Sequence, residues 1–384
     1  MTSPILSRVA ALREQVLEAA PGIARDRRLP AALVEEMRAA AVFDTARPAA
    51  WGGLELDPLT QFEVFESLAR ADGSVGWCGA IGADSGYYSA FVDDAVGRDL
   101  FPEAGLIAAG STGPGQAVAT RDGDAWRVEG RWSFGSGSSH ADRFVGGVFL
   151  QDADGSAIVD DEGLPSWRTA FLPRGAVEVL DTWDTVGLRG TASNDYRCEP
   201  VRVPDEHLFD AFGPMCRDEP LYRLPWWFIV KITPMCTGIA RHSIDEAITI
   251  AEGKAVLPEL TNLLERPGTA TTIARAEGRL GAARAFVLDE IDTVWRACLS
   301  GGDLSPERTV GLRLAMVHAA HDSLSVTREM LDLVTTSAIA ADSTLARLHA
   351  DATVAMTHLV HNHRSWETLG RRLLGLPLGR TAYI

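Results

Sequence analysis

A chain of 384 residues with 46% apolar content exceeds one ordinary domain and can bury a sizeable core. Its net charge of -16 sets it against nucleic acid and anionic membrane surfaces, and it contains no apolar run long enough to span a bilayer and no signal-peptide core, which points to a cytoplasmic protein. The five cysteines lie far apart with no C-x-x-C pair, so they indicate buried thiols in a reducing compartment, with neither a disulfide framework nor a zinc site.

From Ile5 to about Asp99 the chain reads as helix: Val9, Leu12, Val16 and Ala19 recur at helical spacing, and Leu29-Pro30 opens a second helix. A loop at residues 46–53 interrupts, Pro58 to Ala71 resumes helix, and the small, apolar stretch Ser74 to Phe91 reads as a buried helix. Between Leu106 and about Leu208 short β-prone runs around Trp126, Phe144 and Val177 are separated by Gly, Asp and Pro turns. Helical periodicity returns from Trp226, with Ile273, Leu280, Val287, Ile291 and Val294 on one face and Leu314, Val317, Leu324 and Leu331 on another. The expected architecture is therefore α+β: a helical region over residues 1–105, a β domain over 106–215, and a helical bundle over 216–384. Residues 152–166 and 254–268 break periodicity and read as flexible loops.

Two segments of the β region carry chemistry. Trp132-Ser-Phe134-Gly-Ser136-Gly137-Ser-Ser-His140 and, about fifty residues on, Trp183 to Ser193 with Thr191 each set small hydroxyls and glycine-freed backbone amides between aromatic rings. Such a bed suits a flat ring with a polar edge; the plain alternative is a Ser/Gly-rich hairpin. The Gly-rich piece Ala109 to Gln116 lacks G-x-G-x-x-G spacing and a following helix, so it reads as a β-domain loop whose Ser111 and Thr112 either face a ligand or close a turn. His358, His361 and His363 crowd the C-terminal region; on a helix His358 and His361 share a face, but no carboxylate accompanies them and no metal site is expected.

Over nearly its whole length, through Trp51-Gly-Gly-Leu, Ala69-Arg-Ala-Asp-Gly-Ser-Val-Gly-Trp77, the Ser111 loop, the two segments above and Arg347 to His358, the chain resembles the acyl-CoA dehydrogenase fold, and within it the two-component, group D flavin-dependent monooxygenases. The resemblance implies an N-terminal helical domain, a middle β-barrel or sandwich domain and a C-terminal four-helix bundle. Dehydrogenases of the fold carry a motif R-D-A-x-x-x-x-x-Y-E-G-T whose glutamate removes the substrate proton; matching its aspartate to Asp351 puts His358 at the tyrosine position and Leu359 at the glutamate position, so that carboxylate is missing. The monooxygenase branch resembles this chain in having a histidine there. It implies reduced flavin (FMNH2 or FADH2) supplied by a separate reductase, and O2 giving a flavin C4a-hydroperoxide that oxygenates an aromatic or heteroatom-bearing small molecule. His358, Ser111 and Ser136 would then be catalytic, and Ser111, Thr112, Trp132, Phe134, Ser136, Gly137, Trp183, Thr191 and Ser193 would hold the flavin. Phenol hydroxylases of the branch have a histidine in the segment matching Gly82 to Tyr88; here Asp84, Ser85, Tyr87 and Tyr88 would line the substrate pocket instead, with Trp227 as an aromatic wall or a core residue. The Arg and Gln that grip the FAD pyrophosphate across the dimer have no clear counterpart in residues 257–274. A homotetramer or dimer is implied. Alternatives are a flavin dehydrogenase or an amino-sugar N-oxygenase on the same fold, or a flavin-free oligomeric interaction protein.

Overall fold

A computed structural model describes residues 3–256 and 260–378. Seven helices precede the sheet: α1 (Pro4–Ala11), α2 (Arg13–Asp26), α3 (Ala31–Ala39), α4 (Pro58–Ala71), α5 (Gly73–Gly82), α6 (Asp84–Tyr88) and α7 (Asp94–Leu100). Asp57 starts α4 by accepting from the Thr60 amide, and Asp72 separates α4 from α5 by capping the amides of Ser74 and Val75. The stretch expected as one buried helix is thus three short pieces, α5, α6 and a single 3-10 turn, because each is kept in place by packing more than by helix propensity.

The β region is one continuous sheet: β1 (Ala108–Asp122), β2 (Ala125–Gly135), β3 (Arg143–Gln151), β4 (Trp167–Pro173), β5 (Val177–Leu180), β6 (Asn194–Pro204) and β7 (Leu208–Phe209), in the order β5-β6-β2-β1-β3-β4-β7. All neighbours are antiparallel except β1 and β3. Residues 109–116 are strand and not loop: the ladder to β3 shifts register on both sides of Pro114, and those bulges absorb the glycines and proline that signal a turn in the sequence. Residues 152–166 likewise form tight turns closed by the bridges Gln151 to Ala157 and Val159 to Pro165.

After the sheet come α8 (Trp227–Val230), α9 (Thr233–Gly253), a two-stranded ribbon of β8 (Ala255–Val256) and β9 (Thr261–Asn262), then α10 (Pro267–Ser300), α11 (Pro306–Val334), α12 (Thr344–Met356) and α13 (His363–Leu373). The ribbon falls in the expected loop 254–268, whose residues 257–259, shared with the expected FAD-gripping stretch, lie outside the described residues. Leu280, Val287, Ile291 and Val294 are buried as their spacing predicts. On α11 Val317 is buried as its spacing predicts and Leu324 and Leu331 partly so, but Leu312, Ala315, Met316, Ala319, Val326 and Met330 are buried too, because this helix packs against α9, α10 and α12 together and is covered on more than one side. Gly301, in the left-handed conformation at φ 69°, closes α10. One apolar core joins the N-terminal helices to α8–α11, so the two helical regions share an interior; a second lies under the sheet and a third inside the bundle.

Candidate active site

The segment between β5 and β6 is fastened to every part of the molecule. The amides of Thr182 and Trp183 donate to Asn194 Oδ1, Arg27 on the α2 side grips the Trp183 carbonyl, and the Leu188 amide donates to Asp351 of α12 at 2.5 Å. Gly187 abuts the backbone of Ala350, where an added Cβ would stand 2.1 Å from a carbonyl oxygen, so no side chain fits. Across from this segment, the turn after β2 is sewn down by the Gly137 amide to the Thr191 carbonyl, 2.8 Å, and by Ser138 Oγ to the Ala192 carbonyl, 2.7 Å.

Clamping the two segments together aligns a chain of buried hydroxyls. Trp77 Nε1 of α5 donates to Ser136 Oγ at 3.0 Å; Ser136 Oγ lies 2.7 Å from Ser193 Oγ; Ser193 Oγ lies 2.7 Å from Thr191 Oγ1; and Thr191 donates to the Leu188 carbonyl at 2.8 Å. The other side of the Trp77 ring system meets His358 edge-to-face, with centroids 5.6 Å apart. One tryptophan from the N-terminal helices therefore bridges the β-domain hydroxyls and the C-terminal histidine.

α12 ends at Met356, so His358 stands in the following loop and not on a helical face shared with His361. Burial, reinforced by the Arg313 charge, pushes the His358 imidazole down to about 4. The ring is neutral near pH 7, with the Val360 amide 3.5 Å from its Nδ1. His361 is fully buried, with Nε2 3.2 Å from Thr233 Oγ1. Arg313 is itself buried; one amino group contacts the Val360 carbonyl, and burial lowers the guanidinium to about 10.

The other expected site residues divide. Phe134 is 69% exposed, held at φ 66° on the left-handed side of backbone space, and meets Trp183 edge-to-face at 6.3 Å. Ser111 and Thr112 are half-buried on β1, the strand beside β2 in the same sheet, where the Ser111 amide donates to Tyr196 Oη. Trp132 is turned into the sheet core: it stacks on Tyr196 at 5.2 Å and donates to the Gly147 carbonyl, so its ring has no face for a ligand. Asp84, Ser85, Tyr87, Tyr88 and Trp227 are also buried in the core. Asp84 forms a buried ion pair with Lys231 at 2.5 Å and accepts from Tyr88 Oη, while Tyr87 Oη donates to Gln61 Oε1. Burial pushes the Asp84 carboxyl up to about 6 despite Lys231. Cys216 is exposed, unlike the other four thiols, because it follows the strands in an irregular connection. Two partners escaped the sequence reading: Trp77, which reaches the buried hydroxyls, and Lys231, whose lone charge in the apolar run Trp226 to Ile232 was a legible sign of a buried partner for Asp84.

The residues fit a reduced flavin. An exposed aromatic ring held in a costly backbone conformation, beside a glycine-rich turn and a hydroxyl with a lone pair to offer, suits a flat group with a polar edge. No cluster of three or more metal-ligating side chains occurs among the described residues.

Residues 6–94 match the acyl-CoA dehydrogenase N-terminal domain, and residues 231–363 match the acyl-CoA dehydrogenase C-terminal domain. The chain belongs to the acyl-CoA dehydrogenase family, in its branch of flavin-dependent monooxygenases, and is an oxidoreductase using reduced flavin and O2. It is 32% identical to an indole-3-acetate monooxygenase of Pseudomonas putida over 91% of this chain and 88% of that one. It is 26% identical to the oxygenase subunit HsaA of a flavin-dependent monooxygenase of Mycobacterium tuberculosis, over 98% of this chain and 97% of that one. In three dimensions it superposes on the 3-HSA hydroxylase of Rhodococcus sp. RHA1 with a TM-score of 0.89, at 23% identity and 99% coverage of both chains, and on XiaF from Streptomyces sp. in complex with FADH2 and glycerol with a TM-score of 0.89, at 22% identity and 97% and 96% coverage.

Proposed function

We propose that this chain is the oxygenase component of a two-component system in the cytoplasm, receiving reduced flavin from a separate reductase and oxygenating a small aromatic molecule. The observation that carries the site assignment is the bridge by Trp77 between Ser136 and His358. When bound, reduced flavin activates dioxygen, and the protein's task is to seat it, exclude water and hold protons where the reaction needs them. Ser136 would meet the polar edge of the ring, Phe134 and Trp183 its flat face, and the Gly137 turn lets the backbone approach closely. His358, neutral, serves as a hydrogen-bond donor and not as a base, since an imidazole lowered to about 4 has little affinity for a proton at neutral pH. Leu359, standing where the dehydrogenases of the fold keep their glutamate, leaves no carboxylate for α-proton abstraction. An aromatic substrate is favoured by the relatives, two of which act on indole-3-acetate. A homotetramer is supported by the apolar side chains of Leu373 and Leu374, exposed at the C-terminal end of α13.

The test is turnover with isotopically labelled dioxygen, reduced flavin and a panel of small aromatic acids and phenols. Labelled oxygen in the product, in proportion to flavin consumed, is expected. Reoxidation at the free-flavin rate, with hydrogen peroxide and no product across the panel, would overturn the assignment.

A further inference from the structure

Proton counting along the buried hydroxyls leaves one arrangement. A hydroxyl has a single proton, a carbonyl only accepts and an indole N–H only donates. Thr191 therefore gives its proton to the Leu188 carbonyl. The proton between Thr191 and Ser193 must then be that of Ser193, and the proton between Ser193 and Ser136 must be that of Ser136. Trp77 donates to Ser136 from the other end. Every proton points the same way, from Trp77 toward Leu188. Thr191 is 0%, Ser193 5% and Ser136 8% exposed, so water has little access to reverse the chain. Ser136 is left with no proton to give and one lone pair unused.

We infer that Trp77, Ser193 and Thr191 form a proton-orienting relay that makes Ser136 an acceptor-only group, and that this relay gives the site its preference for reduced over oxidised flavin. The inference rests on the flavin seat proposed above. Reduced flavin carries a hydrogen on N5 and donates there; oxidised flavin has a lone pair at N5 and needs a donor. An acceptor fixed by three neighbours satisfies the first and repels the second, a discrimination by polarity that shape cannot provide between two rings of the same outline. Ser193 and Thr191 would then be positioning residues, acting on the flavin only through the direction of the Ser136 proton.

The test compares the dissociation constants of FAD and FADH2, and of FMN and FMNH2, for the full chain under anaerobic conditions, in the native protein and in Ser193→Ala, Thr191→Val and Thr191→Ser. Removing the acceptor beyond Ser136 frees its proton to turn outward. Ser193→Ala and Thr191→Val should each narrow the preference for reduced flavin by about tenfold, chiefly by tightening the oxidised form. For a two-electron couple that tenfold change lowers the bound midpoint potential by about 30 mV. Thr191→Ser keeps the hydroxyl and should keep the native ratio. An unchanged ratio in both Ser193→Ala and Thr191→Val, or equal weakening of both redox forms, would show the relay to be scaffolding only and overturn the inference. Failure of the native chain to take up either form would remove the flavin seat itself, a result distinct from the loss of selectivity alone.

Discussion

Two buried polar groups lie on either side of α5 and behave in opposite ways. Asp84 and Lys231 close on themselves: the ammonium also reaches the Ala80 carbonyl and lies over the rings of Phe65 and Tyr87, and Tyr88 completes the carboxylate. The Ser136, Ser193 and Thr191 hydroxyls are neutral, run in one direction and end on a lone pair that nothing inside the protein uses. The charged pair in the core satisfies itself, whereas the neutral chain leaves one lone pair open, as the flavin seat proposed above requires. That contrast separates a structural polar cluster from a functional one.

The largest expected effect breaks the closed pair. Lys231→Met leaves the Asp84 carboxylate buried without its partner and should cost about 3–5 kcal/mol by chemical denaturation, and adding Asp84→Asn should restore a large part of it. Recovery in the double variant is the measurement that shows the cluster to be structural. On the open side, His358→Ala should lower product formation by about 10²-fold while reduced-flavin affinity, measured by anaerobic titration, stays near native. Loss of binding in step with turnover would instead make His358 part of the flavin seat.

Burial and the neighbouring Asp72 raise the Asp351 carboxyl to about 7. Its proton is held more tightly in the folded chain than in the unfolded one, where a carboxyl titrates at about 4. The contribution to stability is therefore full below about pH 4 and is lost as pH rises through about 7. Asp351→Asn keeps an acceptor for the Leu188 amide and should flatten that decline by about 1–2 kcal/mol in melts taken across this range. The smallest effect is on the surface: Phe134→Gly should change stability by no more than about 0.5 kcal/mol, since the ring is exposed and the left-handed backbone suits glycine, yet should weaken flavin binding.

Much of the architecture was legible because local signals and tertiary packing agree: α4 and β5 take the bounds their patterns suggest, and the bundle face of α10 is buried as spaced. Ser136, Thr191 and Ser193 stand out in the sequence as hydroxyls set among glycines near aromatic rings, and the fold joins the three in one hydrogen-bonded chain. The direction of Trp132 was not legible, since a strand side chain's face depends on register, and the β2 to β6 ladder shifts between Val128 and Gly130. The partners of Asp84 and Tyr87 were not legible either, since Lys231 and Gln61 lie far from them along the chain. Trp77 reaches Ser136 across 59 positions, a contact no local pattern encodes.

The β5 to β6 segment is held by Arg27, Asp351 and its own sheet at once, with the Gly187 backbone pressed against α12. A ligand seated against it touches the N-terminal helices, the sheet and the bundle together, so its binding energy is shared by all three. Flavin should accordingly raise the melting temperature of the whole chain in a single transition, the added stability being RT ln(1 + [L]/Kd), or about 2.7 kcal/mol at a hundredfold excess over Kd, with no unliganded region left to melt early.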